Sequence, residues 1–237
     1  MNFLKDWFYA VNLYISNKYI FLISLLTIFL IETTTILFKY YLPSKEYILI
    51  LYDIFSSLIL YTSMIALISI IYVVKSKKAN FENRFFKAIE KSWWIIIVKL
   101  LWNYSNILIM GTGYLPEENL SIIPAIILFS SWIIILGSAF YIVPRSIFDS
   151  KSENSFSLFI NYFFSKILKI IIFTFFSMIT AFFVLFFCSF IISYIEPILN
   201  NFFNIQFKFF IEDILSTITQ VIYAHLIATS AFILYSK

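Results

Sequence analysis

The sequence predicts an all-α, polytopic transmembrane bundle: six spans, short amphipathic interfacial helices between them, and both termini in the cytoplasm. Three observations predict it. Of 237 residues, 62% are hydrophobic and only 13% charged, whereas a soluble domain is nearer about 50% apolar and about 25% charged. Apolar runs long enough to cross a bilayer recur six times. The basic residues fall almost entirely on one side of those runs.

A helix needs about 20 apolar residues to cross about 30 Å of hydrocarbon at about 1.5 Å per residue. The runs cover about Tyr19 to Phe38, Ile48 to Val74, Trp93 to Met110, Ser121 to Val143, Ile167 to Ile195 and Ile214 to Leu234. The third is the shortest and least pure. A closed barrel would alternate apolar and polar residues along each strand. Stretches such as Ile170-Ile171-Ile172-Phe173 are apolar at every position, so helices are expected. Inside lipid the need to pair every backbone group overrides the low helix propensity of β-branched residues.

Orientation follows from the bases flanking the spans. Lys5, Lys18, Lys75, Lys77, Lys78, Arg84, Lys87, Lys91, Arg145, Lys151, Lys166, Lys169 and Lys237 share one side, and Lys39, Lys45 and Lys208 the other. Lys99 is left inside a span. This asymmetry predicts cytoplasmic termini, and termini on one side require an even number of spans. The first residues, which include Asp6, lack the pattern of a cleaved leader.

A short amphipathic lead precedes each pair of spans: Met1–Asn17, Asn80–Ser92 and Ser155–Lys166. In the first, Phe3, Leu4, Trp7, Phe8, Val11 and Tyr14 form one face of a helix at the membrane surface. In the second, Phe81, Phe85, Ala88 and Ile89 do so; in the third, Phe156, Phe159, Ile160 and Phe163. The pattern reads either as three hairpin units of common ancestry or as ordinary basic loops between spans. The stretch Pro197 to Phe210, rich in Phe and Asn, reads as an external interfacial helix or a shallow re-entrant piece. Pro144 is expected to close the fourth span. The whole chain is therefore one integral membrane domain, without a soluble domain.

Polar side chains inside spans each need a reason, because a charge there costs about 2.5–3.5 kcal/mol on insertion scales. The candidates are Glu32, Asp53, Lys99, Asn103, Gln220 and His225. Glu32 and Asp53 lie at similar depth from the outer side on consecutive spans. They form either a proton or cation site, sharing one proton because adjacent carboxylates repel, or surface-near groups that find water, Lys39 or Lys45. Lys99 reaches the cytoplasmic edge by its long stem. Asn103 bonds to another helix. Gln220, with Ser216, Thr217 and Thr219, supplies further interhelical bonds. His225 is either a neutral imidazole bonded to a neighbour or a relay to Glu32 or Asp53.

Several chemistries are excluded. Cys188 and His225 are the single residues of their kinds, which leaves no intramolecular disulfide and no cysteine or histidine metal cage. Gly111, Gly113 and Gly137 are the only glycines, too few for a phosphate loop, glycine-based helix contacts or glycine-broken transporter helices. No cofactor and no catalytic residue is expected. The net charge of +4 fits attraction to anionic lipid rather than nucleic acid, since the bases are scattered over loops.

From Pro124 to Phe173 the order is a long span ending Ile142-Val143-Pro144, then Arg145-Ser146-Ile147-Phe148-Asp149, a polar turn, an amphipathic lead and the next span. This resembles the YciC-type six-span bacterial inner-membrane proteins and the membrane domain attached to some glycerophosphodiester phosphodiesterases. The Trp93-Trp94 pair at a span entry is similar too. Asp149 and the scarcity of glycine near the fourth span depart from that pattern. The resemblance implies a bacterial inner-membrane protein of uncharacterised role, and no catalytic residue carries over. Two functions are expected from the sequence. One is a non-enzymatic structural or accessory component of the cytoplasmic membrane, whose partner is the lipid bilayer. The alternative is a transport component, acting as a homo-oligomer or with a separate ATPase, that uses intramembrane carboxyls.

Overall fold

A computed structural model describes residues 3–38, 46–76, 80–99, 122–149, 156–203 and 207–236. All regular structure among them is helical: α1 (Phe3–Ser16), α2 (Lys18–Ile36), α3 (Glu46–Ser76), α4 (Phe81–Ser92), α5 (Ile122–Phe140), α6 (Ile142–Phe148), α7 (Phe156–Phe203) and α8 (Phe207–Ser236). Residues 94–99 are helical as well. Five helical stretches are long and apolar enough to cross a membrane: Lys18–Ile36, Ile54–Ser76, Phe129–Phe148, Ser157–Ile195 and Asp213–Ser236. They coincide with the first, second, fourth, fifth and last expected spans. Most of the expected third span, from residue 100 onward, lies outside the described residues.

The centre of the bundle is α8, which packs against α1, α2, α3, α5, α6 and α7. Its positions from Ala224 to Leu234 are buried on every side. The residues there explain how so many neighbours fit. Ala224, Ala228, Thr229, Ser230 and Ala231 are small, and in lipid close backbone approach rather than hydrophobicity holds helices together. Tight packing was not expected from a sequence so poor in glycine; alanine, serine and threonine take that role. Gly137 is the exception, since a Cβ there would meet the Phe159 ring at 2.7 Å. It lets α5 lie directly on α7.

Two helices begin with side-chain caps. The Asn17 side chain accepts from the Tyr19 amide and that of Asn80 from the Glu82 amide, each at 3.0 Å, satisfying amides that the first turn leaves free. The guanidinium of Arg84 donates to the carbonyls of Ile147 (2.8 Å) and Phe148 (3.3 Å). These belong to the last turn of α6, whose carbonyls lack partners within the helix. Arg84 thus binds α4 to α6 as well as contributing to the charge asymmetry.

Three expectations about element boundaries are corrected. Pro144 does not close the fourth span: α5 ends at Phe140, Tyr141 breaks the helix, and Pro144 sits inside α6. A proline lacks the amide that would bond the carbonyl four residues back, and its ring crowds that carbonyl. The break therefore falls just after Phe140 rather than at the proline. The lead Ser155–Lys166 is not a separate surface helix, because α7 runs unbroken from Phe156 to Phe203. Nor do Pro197 to Phe210 form a separate piece: α7 continues through Pro197 to Phe203, and α8 starts at Phe207.

The apolar residues of the first lead divide between two sides of α1. Ala10 is fully buried, while Leu4 and Phe8 are more than half exposed. Along α1, Tyr9 meets Lys75 and Tyr14 meets His225, and Lys75 lies over the Phe232 ring. α1 therefore runs antiparallel to α8 as far as His225, with Trp7 against the Phe176 ring of α7 at 5.2 Å. In the second lead, α4, Ala88 is buried and Phe85 and Ile89 pack into the core, while Phe81, Glu82 and Glu90 are exposed.

Candidate functional site

The buried face of α2 carries Ile20, Ser24, Thr27, Ile31 and Thr35 at helical spacing. This stripe holds Ser24 toward the bundle centre. Ser63 is buried on α3, and the small neighbours of His225 on α8 let both helices approach. The three side chains meet. The fully buried His225 places Nδ1 2.8 Å from Ser24 Oγ and Nε2 2.9 Å from Ser63 Oγ. Ser24 Oγ lies 3.0 Å from the Ile20 carbonyl, and Ser63 Oγ 2.7 Å from that of Leu60. From α1, the Tyr14 hydroxyl comes within 3.2 Å of Ser24 Oγ, and its ring stands edge-on to the imidazole at 6.4 Å. Burial pushes the Tyr14 phenol above its usual range, with the Ser24 hydrogen bond opposing. The phenol is therefore a stable O–H donor at neutral pH.

Four helices thus tie onto one imidazole whose two nitrogens are both occupied. Of the sequence candidates whose side chains are described, only His225 belongs to this cluster. Glu32 lies eight residues along α2 from Ser24, about 12 Å at 1.5 Å per residue. Its two carboxyl oxygens are buried and, among the described residues, have no hydrogen-bond partner. Beside it, Thr33 and Thr34 donate to carbonyls of their own helix at 2.8 Å, and Thr35 meets the Tyr52 hydroxyl at 3.2 Å. The side chain of Asp53 and the whole of Asn103 lie outside the described residues. So, therefore, does any pairing of Asp53 with Glu32. Lys99 is half-buried at the end of the 94–99 helical run. Gln220 is exposed and reaches only Ser216 of its own helix, at 3.4 Å, and Thr219 donates to the Leu215 carbonyl. These two bonds stay within α8.

The sequence carries a faint signal for the cluster that was missed. Ser24 and Ser63 are hydroxyls on otherwise apolar inward stripes, at depths that antiparallel spans bring level with His225. Nothing local marks them as its partners, for they are 201 and 162 positions away.

A cavity of about 50 Å³ lies between α3, α5, α6 and the 94–99 run, lined by Tyr61, Met64, Ile68, Ile95, Ile135, Ala139 and Val143. The Tyr61 hydroxyl donates to the Ser92 carbonyl, so the cavity presents no free polar group to a ligand. Among the described residues no three His, Cys, Asp or Glu side chains are grouped to hold a metal ion. Comparison with protein-family models, with curated proteins and with solved structures finds no match to this chain.

Proposed function

We propose that this chain is a multi-pass protein of a bacterial-type cytoplasmic membrane with a structural or accessory role and no enzymatic activity of its own. One observation carries the reading. The buried imidazole, the most versatile acid–base group in the chain, has both nitrogens spent on serines of neighbouring helices. It ties helices together rather than facing a substrate. The layout from Pro124 to Phe173 supports grouping the chain with the YciC-type proteins, and the six-span arrangement with internal termini belongs to the same proposal. Its partner in this role is the bilayer itself, with the basic side drawn to anionic lipid.

The experiment is to purify the protein in detergent and assay it for hydrolase and transferase activity on phospholipids. No turnover is expected. Turnover that disappears in Glu32→Gln or His225→Ala overturns the reading. Topology is tested separately by cysteine labelling after Cys188→Ser. Cysteines at Lys78 and Ser152 should resist an impermeant reagent added outside cells, and one at Glu117 should react.

A second reading, a transport component working with a second copy or a separate ATPase, is favoured by Glu32, whose buried carboxyl oxygens lack a hydrogen-bonded partner among the described residues. Buried polar groups without partners are uncommon and often functional. Proton flux in liposomes containing the protein, abolished by Glu32→Gln, would establish it. Flux no greater than in empty liposomes would remove it.

A further inference from the structure

Counting protons in the His225 cluster distinguishes its two tautomers. Five contacts require a hydrogen: Tyr14 with Ser24, Ser24 with the Ile20 carbonyl, Ser24 with Nδ1, Nε2 with Ser63, and Ser63 with the Leu60 carbonyl. Tyr14, Ser24 and Ser63 bring one hydrogen each, and a neutral imidazole brings one more. Four hydrogens cannot fill five contacts, so one contact goes without. A fifth proton would fill all of them but would place an unpaired cation in a fully buried site, which is costly.

Each carbonyl also accepts from an amide of its own helix, whereas each ring nitrogen meets a single serine, so the contact that yields is one of the two serine–backbone bonds. If Nδ1 carries the proton, it donates to Ser24, Ser24 donates to Ile20, and Ser63 must turn to Nε2, giving up Leu60. If Nε2 carries it, Nε2 donates to Ser63, Ser63 keeps Leu60, and Ser24 turns to Nδ1, giving up Ile20. In the first arrangement the Tyr14 and Nδ1 protons converge on Ser24, whereas the second keeps the shorter serine–backbone contact, 2.7 against 3.0 Å, and is the one favoured. In that arrangement every donor points the same way along the chain, and aligned hydrogen bonds polarise and strengthen one another.

We propose that His225 is held as its Nε2–H tautomer and is the middle link of a one-way hydrogen-bonded chain, from the Tyr14 hydroxyl through Ser24, Nδ1, Nε2–H and Ser63 to the Leu60 carbonyl. The imidazole is a positioning residue that joins α1, α2, α8 and α3 in register. Moving its proton to Nδ1 releases the Leu60 carbonyl of α3 and engages the Ile20 carbonyl of α2. The device therefore has two states, in which a bend at either carbonyl is felt at the other helix. It rests on this geometry alone and holds under either functional reading above.

Because His225 is the chain's only histidine, ¹⁵N-histidine labelling gives one unambiguous pair of ring-nitrogen NMR signals. In the purified protein in lipid nanodiscs, a protonated Nε2 and an unprotonated Nδ1 are expected. Ser63→Ala removes the acceptor and should move the proton to Nδ1, where Ser24 receives it. Ser24→Ala and Ser63→Thr, which keeps the hydroxyl, should leave it on Nε2. A protonated Nδ1, or equal averaging of the two nitrogens, in the unaltered protein overturns the proposal, and so does Ser63→Ala with the proton still on Nε2. Should Ser63→Ala fail to fold, the unaltered and Ser63→Thr spectra decide alone.

Discussion

Two long apolar helices of the bundle, α7 and α8, are built from opposite materials. In α8, 72% of an 18-residue apolar segment is buried, against 28% of one in α7, so α8 is the core and α7 its flank. Ala224, Ala228, Thr229, Ser230 and Ala231 line the buried helix, whereas α7 shows Phe182, Phe183, Phe186, Phe187 and Phe190 to its surroundings. In water this assignment would be perverse. In lipid it follows, because acyl chains solvate phenylalanine as well as a protein core does, and helix contacts reward close approach. Bulk is not banished from the interior: Phe140, Phe173 and Phe232 are fully buried. Between Phe163 and Ala181, α7 still turns a buried seam of Phe163, Ile170, Phe173, Thr174, Ser177 and Ala181 toward its neighbours.

The contrast breaks if equal truncations on the two helices cost the same. Phe232→Ala should be the most damaging, destabilising the protein in detergent by on the order of 3 kcal/mol through the cavity it leaves. Phe187→Ala on α7 should change stability by no more than about 0.5 kcal/mol, as expected of a side chain outside the packed interior. Thermal denaturation of the two variants side by side checks this. Gly137→Ala comes next, at about 1–3 kcal/mol, because the new methyl meets the Phe159 and Phe163 rings. Adding Phe159→Leu should recover part of that loss, so the two changes should not be additive. The smallest core effect is expected of His225→Ala, about 1–2 kcal/mol. Ser24 and Ser63 can then fall back on the Ile20 and Leu60 carbonyls, and individual polar contacts between membrane helices are worth about 0.6 kcal/mol on average.

The spans were legible because crossing a bilayer demands an unbroken apolar run, visible one residue after another in Lys18–Ile36 or Asp213–Ser236. What failed was the placing of ends. Pro144 looked like a terminator, yet its missing amide acts one turn earlier, at Phe140, and the chain re-enters a helix around the proline. Lys166 and Lys169 looked like a boundary, yet Lys169 lies over the Phe3 ring at 5.5 Å and α7 passes straight through. The lead Met1–Asn17 showed its apolar residues but not that they divide between two sides of α1, since periodicity alone does not say which neighbours a helix has. His225 stood out for its chemistry. Its serine partners did not, because an isolated hydroxyl in a span is common and its meaning comes from helices far away in sequence.

The central claim is that α8 is sealed among its neighbours while α7 faces lipid. In a Cys188→Ser background, cysteines at Phe187 and at Ala228 can be treated in native membranes with a lipid-soluble thiol reagent. Rapid modification at 187, and none at 228 until the protein is unfolded, is the predicted result. Equal reaction at both positions, or reaction at 228 alone, would contradict it.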